Sequence, residues 1–452
     1  MVHTFSFNYK DNNYYFIWDV ESGSLHSVDY VAFLCAKKRY NKNLSYNDLI
    51  FLKNSDQALI KSIESDFQEA EEEDMLNTDA LVKEFKKTNR EIKALCLHIC
   101  HDCNLSCDYC FARGGTYNTE KDYMSAEVGE KAVDFLIANS GERKNLEIDF
   151  FGGEPLMNMS VVEHIVEYAK IKAKKANKSF SFTMTTNCLL LNKRTADYLN
   201  KEMNNVVLSI DGREGVHNSV RHSLSGKHCY NVILNNALYF KSIRGNKYYY
   251  VRGTFTHNNL DFSNDIVALN DYGFDQISIE PVVLPTNHQL AIMESDVPII
   301  EKEYEKLAEI YLDRRQGDKW FNFFHYMIDL EHGPCINKRL VGCGAGGEYL
   351  AISPIGDIFP CHQFVGEDNY CLGNLSNGIT QRQIVDKFID NTVLKKDDCK
   401  SCFAKYYCGG GCAANAKNFS GNIQGCYDIG CKLLQKRLEM ALAIYAIEKM
   451  NN

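Results

Sequence analysis

The chain has 452 residues, 45% of them hydrophobic and 24% charged, with seven prolines and a formal charge of −9, so it reads as a globular protein of roughly two to four domains without long disordered linkers. The acidic balance leaves no electrostatic footprint for nonspecific nucleic-acid binding, and no apolar stretch is long enough to span a bilayer. The opening Met1-Val-His-Thr-Phe-Ser-Phe lacks a basic segment followed by an apolar core, so a cytoplasmic location is expected.

Residues 1–90 read as a small module. Thr4 to Phe7 alternates, Asp11-Asn12-Asn13 carries turn chemistry, Tyr14 to Val20 is aromatic and β-branched, and Ser22-Gly23 turns into a short strand at Leu25–Val28. Helical periodicity follows at Tyr30–Lys38, at Tyr46–Lys53 behind a Ser45 cap, and along Asp56–Glu73. Three strands followed by three helices resemble a winged helix-turn-helix. The acidic run Glu69 to Asp74 and a polar helix through Arg90 read as a solvated connector.

From residue 91 to about 310 strands and helices alternate, with strands expected at Ala94–Ile99, Leu146–Phe151, Ser181–Thr186, Asn205–Ile210, Tyr248–Thr256 and Gln276–Pro281. Such βα units imply an α/β fold with a parallel sheet, whose ligands gather at the C-terminal strand ends. The polar and glycine-rich signals fall at those ends: a cysteine loop after the first strand, Gly152-Gly153-Glu154-Pro155 after the second, Thr185-Thr186-Asn187 after the third and Ser209-Ile210-Asp211-Gly212 after the fourth. Arg252 lies in the fifth strand, and Glu280-Pro281 closes the sixth. An amphipathic stretch at Pro298–Leu330 leads to a cysteine-rich region, expected over 311–431, and residues 432–452 read as a closing helix.

Eighteen cysteines are poorly explained as disulfides in a reducing compartment. Eleven fall into spaced groups, leaving Cys35, Cys96, Cys100, Cys188, Cys229, Cys371 and Cys426 as small buried hydrophobes. Cys103, Cys107 and Cys110 hold three corners of an iron–sulfur cube, whereas an electron-transfer cluster normally has four cysteine ligands; the fourth iron is left for a substrate or cosubstrate. A zinc site, helped by Cys100 three residues before Cys103, and chance clustering are the competing readings. Structural zinc sites usually combine two separated pairs, which this loop does not.

The run Cys103-x3-Cys107-x-Tyr109-Cys110 resembles the cluster loop of the radical S-adenosylmethionine enzymes. That resemblance implies a partial (β/α)6 barrel, a [4Fe–4S] cluster on Cys103, Cys107 and Cys110, and S-adenosylmethionine chelating the open iron through its amino and carboxylate groups. Gly152, Gly153 and Glu154 then belong to the motif that receives the methionine ammonium, and Arg252 to the position that binds the carboxylate, a task suited to a guanidinium fork. Ser209 and Asp211 are expected to hydrogen-bond the ribose, Thr186 and Asn187 to line the site, and Tyr109 to lie against adenine.

The spacing Cys343-x12-Gly356-x4-Cys361, Cys399-x2-Cys402-x5-Cys408-x3-Cys412 and a final cysteine is similar to the SPASM domain, which implies two auxiliary [4Fe–4S] clusters and three in all. By that analogy Cys399, Cys402, Cys408 and the last cysteine hold the outer cluster, while Cys343, Cys361 and Cys412 hold the inner one. Both Cys426 and Cys431 lie within reach as the last ligand, Cys431 being favoured because it begins the closing helix. Cys335 is either a fourth inner ligand or absent from a site left open to a substrate thiolate. Zinc remains the alternative metal, since thiolates suit both.

A winged module suggests DNA, but this one lacks a Lys/Arg-rich recognition helix. In peptide-modifying radical enzymes a domain of this shape binds the leader of a ribosomal precursor as an added strand, here on the Tyr14–Val20 or Leu25–Val28 edge; a merely structural cap is the third reading. Together with the segment from Gly333 and Cys335 to Glu348 and the run Cys361 to Val365, the chain is similar to maturases of six-cysteines-in-forty-five-residues peptides. The resemblance implies a 5′-deoxyadenosyl radical that abstracts hydrogen from an acceptor residue, a cysteine thiolate that joins that carbon as a thioether, and a surplus electron leaving through the auxiliary clusters. The partners expected are a cysteine-rich precursor peptide and a flavodoxin- or ferredoxin-type electron donor, with no nucleic acid or membrane. Formylglycine formation in a sulfatase is the enzyme alternative, and an iron–sulfur DNA-binding regulator the non-enzyme one.

Overall fold

The structure is a computed structural model that describes residues 1–72, 91–333 and 335–451. Strands β1 (Val2–Tyr9), β2 (Asn12–Asp19) and β3 (Leu25–Val28) form an antiparallel sheet in the order β1-β2-β3. Phe5, Phe7, Phe16 and Trp18 are buried in the main core, while Tyr15 turns to the other side, against Tyr30 and Phe33. Helices follow at Tyr30–Ala36, Tyr46–Asn54 and Gln57–Glu72. Ser45 caps the second with a reciprocal bond to Asp48, which satisfies two of the otherwise unpaired donors at a helix start. The expectation that Tyr14–Val20 is an edge is overturned: two hairpins in series pair β2 on both sides, so β1 and β3 are the edges. The polar helix expected through Arg90 lies outside the described residues, except for the first part of the acidic run.

The expected strands appear as β4 (Ala94–Cys100), β6 (Asn145–Gly152), β7 (Ser179–Thr186), β8 (Asn205–Ser209), β10 (Tyr248–Phe255) and β11 (Gln276–Pro281), with the short β5 (Leu105–Cys107) and β9 (Arg221–Ser223) forming a separate ribbon. The six are parallel and adjacent in chain order, with helices such as Met159–Ala176 and Tyr230–Arg244 as crossovers. This is the partial barrel. Alternation in β4 sends Leu95, Leu97 and Ile99 into the main core and Cys96 toward a smaller cluster with Cys110, Tyr117 and Phe359.

The sheet runs on at both ends. β12 (Asn322–Phe323) joins β11, and β13 (Tyr349–Ile352), from the cysteine-rich region, runs parallel to β4 and continues antiparallel into β14 (Asp357–Phe359). The cysteine-rich region is therefore hydrogen-bonded to the barrel's first strand, an arrangement its local sequence did not predict. The closing helix spans Asp428–Asn451 and so begins before residue 432. No helix among the described residues is long and apolar enough to cross a membrane.

At the closed end of the sheet, buried Arg244 ties two connections together. Its Nη2 donates to the carbonyls of Met203 (3.0 Å), Asn204 (3.0 Å) and Tyr248 (2.7 Å), and burial draws its guanidinium down to about 10. Arg244→Met keeps the apolar stem but leaves these carbonyls without their donor. It is expected to cost about 3 kcal/mol in reversible urea unfolding; an unchanged midpoint would show that water replaces the guanidinium.

Candidate active site

The C-terminal strand ends open into one cavity of about 630 Å³, within the size range of small-molecule sites. Cys103, Cys107, Cys110 and Tyr109 line it after β4; Gly152, Gly153 and Glu154 line it after β6; and Thr186, Asn187, Ser209 and Arg252 complete the wall. Cys408, Cys412, Cys426 and Cys431 line it from the cysteine-rich side. The two cysteine systems thus face one space.

The close packing of loop on strand explains the glycines. A Cβ on Gly153 would lie 1.9 Å from the Asp102 carbonyl oxygen, and one on Gly152, at φ +120°, 2.4 Å from that of Cys100; no other residue fits either position. Glu154 is fully enclosed, accepting from Asn187 N–H (2.7 Å), Thr186 Oγ1 (2.8 Å) and Leu156 N–H (3.1 Å). Burial pushes its carboxyl up to about 7 despite those donors. Asn187 also points its Nδ2 at Cys103 Sγ, 3.7 Å away.

The β5–β9 ribbon sets Arg221 opposite Cys107. Arg221 donates to Asp211 at 2.8 and 3.1 Å, Tyr109 OH donates to Asp211 at 2.6 Å, and the guanidinium lies 5.5 Å from the Tyr109 ring centroid. Burial alone would raise the Asp211 carboxyl; Arg221 and Tyr109 bring it below the usual range. Asp211, expected on the ribose, is wholly buried and is not among the described residues lining the cavity. Its carboxylate is taken up inside the protein, and it positions Tyr109 and Arg221.

Further up the mouth, Arg437 of the closing helix donates to Glu280 Oε2 at 3.0 Å and lies 3.1 Å from His325 Nδ1. Burial would raise the Glu280 carboxyl, but His325, Arg437 and Arg252 bring it down to about 2. Sequence reasoning missed Arg221 and Arg437 as lining residues. Arg221 carries no local signal, since only the ribbon register brings it to Cys107, and Arg437 looks like a solvent-facing position of an amphipathic helix.

Burial pushes the Cys103 and Cys107 thiols up to about 12, with Arg221 acting in the opposite sense on Cys107. Buried thiols of this kind stay protonated unless a metal takes the proton's place, so the donor set fits an iron–sulfur cluster. Among the described residues no three such side chains sit close enough for a single metal ion. Cys100, which the zinc reading would recruit, instead donates to the backbone carbonyls of Asp102 and Glu154.

In the cysteine-rich region, burial pushes Cys361 up to about 12, and Cys412 and Cys343 are near enough to add to it. Cys399 is raised by burial and then by Cys426, Cys408 by burial and then by Cys402 among its neighbours, and Cys431 by burial and then by Cys426. Cys426 lies beside both Cys399 and Cys431. Cys335 is exposed at the head of the helix Ile336–Val341 and is not among the described residues lining the cavity.

Residues 93–234 match the family model described as a 4Fe–4S single cluster domain. Over 380 residues, 78% of this chain and 75% of its relative, the sequence is 25% identical to the radical SAM cyclopropyl synthase TigE of Paramaledivibacter caminithermalis. The chain is similar to radical S-adenosylmethionine enzymes. Among solved structures, native anSMEcpe with bound AdoMet and Cp18Cys peptide aligns with a TM-score of 0.65 at 18% identity, over 80% of this chain and 100% of that one. Streptococcus suis SuiB bound to precursor peptide SuiA gives 0.52 at 17% identity, over 89% and 93%. These two likenesses are of fold.

For a radical S-adenosylmethionine enzyme the glycine pair is a direct test of the cradle. Gly153→Ala forces the end of β6 away from the cysteine loop and is expected to weaken S-adenosylmethionine binding by about tenfold, or 1.4 kcal/mol, in calorimetric titration of the reconstituted protein; unchanged affinity would place the ligand elsewhere. Arg221→Met strands Asp211 as a buried unpaired charge and is expected to destabilise the fold by about 3 to 5 kcal/mol in urea unfolding. Adding Asp211→Asn should recover part of that loss, and simple additivity would deny the pairing.

Proposed function

We propose that the enzyme installs thioether crosslinks, from cysteine sulfur to a carbon of another residue, in a ribosomally made, cysteine-rich precursor peptide. The observation that carries this reading is the single cavity lined at one end by Cys103, Cys107 and Cys110 and at the other by Cys412, Cys408, Cys426 and Cys431. An acceptor residue and a donor thiol of one peptide have room to meet between two cysteine systems. When bound, the first cluster and S-adenosylmethionine supply a radical that removes hydrogen from carbon. The chain's own residues do the rest of the preparation: Gly152 and Gly153 admit the ligand to the backbone, Arg252 and the groups around Glu154 hold its amino acid end, and the cavity wall keeps water from the reacting carbon.

Cys343, Cys361 and Cys412 serve, in this reading, as a three-cysteine set open to the peptide's thiolate, with exposed Cys335 outside it. Three [4Fe–4S] clusters are proposed in total. The β3 edge, paired with β2 alone, is the proposed seat of the leader as an added strand. That anSMEcpe and SuiB were each solved with a peptide bound supports a peptide substrate here.

Anaerobic incubation with a cysteine-rich precursor, S-adenosylmethionine and reductant should lower the peptide mass by two hydrogens for each bond formed. One thiol should become unavailable to alkylation for each such loss. An unchanged mass, or the same mass loss with every thiol still alkylated, would sink the thioether assignment.

A further inference from the structure

The outer cysteine group is not supported by the cysteine-rich region alone. Cys402 and Cys408 bracket the run Phe403-Ala404-Lys405-Tyr406-Tyr407, and the amino-terminal sheet lies against that run at three points. His3 of β1 stacks on Phe403 with ring centroids 3.6 Å apart and 3° between the planes, and its Nε2 is 2.9 Å from Glu439 of the closing helix. Glu21, in the turn between β2 and β3, accepts from Lys405 Nζ at 2.7 Å and from Tyr406 OH at 2.8 Å. Trp18 of β2 meets the Tyr407 ring edge-on at 5.9 Å.

Lys405 is 8% exposed. An ammonium so enclosed needs a carboxylate, and Glu21 supplies it from more than 380 residues away in sequence. The segment between Cys402 and Cys408 contains one short helix, Lys405–Cys408, so its aromatic side chains depend on packing against a neighbour, which here is the small sheet.

We propose that the amino-terminal module is a clamp on the outer-cluster loop, with Glu21 as the positioning residue that fixes the spacing of Cys402 and Cys408. This role is separate from capturing a peptide. It rests on the reading that Cys399, Cys402, Cys408 and a final cysteine hold an iron–sulfur cluster, and not on the identity of the substrate. One consequence is that deleting the module removes a cluster support together with any leader site, so lost turnover after deletion does not by itself reveal leader recognition.

The test uses the full chain, reconstituted anaerobically without peptide. Iron and sulfide are counted and the reduced protein's electron paramagnetic resonance spectrum is recorded for wild type, Glu21→Lys, Lys405→Glu and the double exchange. Glu21→Lys is expected to lose about a third of the iron and one cluster signal while 5′-deoxyadenosine formation persists, and the double exchange to restore both. Full iron and an unaltered spectrum in Glu21→Lys would overturn the proposal. Wild type with only about four irons would overturn the cluster reading and the proposal with it. If Glu21→Lys does not accumulate as folded protein, Glu21→Gln decides the matter by the rate at which a chelator strips iron. Several-fold faster release of one third of the iron is expected, and release at the wild-type rate overturns the clamp.

Discussion

A buried carboxylate has to find its partners inside the protein, and those of Asp211 come from three separate segments. Tyr109 approaches from the cysteine loop, Arg221 from β9, and the N–H of Thr254 from β10 at 3.0 Å. Because Asp211 is inaccessible to solvent, water cannot replace any of them cheaply. The position of the loop carrying Cys107 and Cys110 is thereby tied to the ends of β8 and β10. That coupling makes the mouth a preorganised site, since each wall residue is placed by hydrogen bonds made before any ligand arrives.

The second constraint is the continuity of the sheet. β13 pairs with β4 from Tyr349↔Ala94 to Ile352↔Leu97, so the cysteine-rich region is set against the strand that leads into the cluster loop. Gly366 repeats the connection farther along the chain: a Cβ there would lie 2.0 Å from the Tyr117 carbonyl oxygen, which leaves no slack between the two regions. The distance between the two cysteine systems is therefore fixed by backbone contacts rather than by a linker.

Much of this was legible in the sequence because the signals were local. The six parallel strands are β-branched or aromatic runs ending in glycine or polar clusters, and the observed ends differ from the expected ones by at most two residues. The cavity wall was largely legible too, since strand ends in a parallel sheet converge wherever the helices lie. What escaped depended on pairing between distant segments. Arg221 gains its meaning only from the register Cys107↔Arg221, in a ribbon of three-residue strands too short to carry a period. The engagement of Asp211 by Arg221 escaped for a related reason: a polar residue at a strand end looks free to bind a ligand unless a distant buried cation is known to reach it. The edge status of Tyr14–Val20 failed because two turns each looked like one hairpin, and only their succession makes the middle strand central.

The five thiols around the outer site illustrate how geometry bears on a choice that spacing leaves open. Cys426 sits in a loop beside both Cys399 and Cys431, whereas Cys431 is built into the first turns of the helix Asp428–Asn451. One turn later on the same helix, Gln435 donates to Cys402 Sγ at 3.3 Å. Residues four apart share a helix face, so the face that presents Cys431 also presents a donor to a second thiol of the group. Hydrogen bonds to ligating sulfurs raise a cluster's potential, and a rigid helix delivers both sulfur and donor in one fixed orientation. A loop thiol has neither, so in the proposed outer-cluster reading Cys431 is the better mounted ligand and Cys426 the neighbour packed beside it.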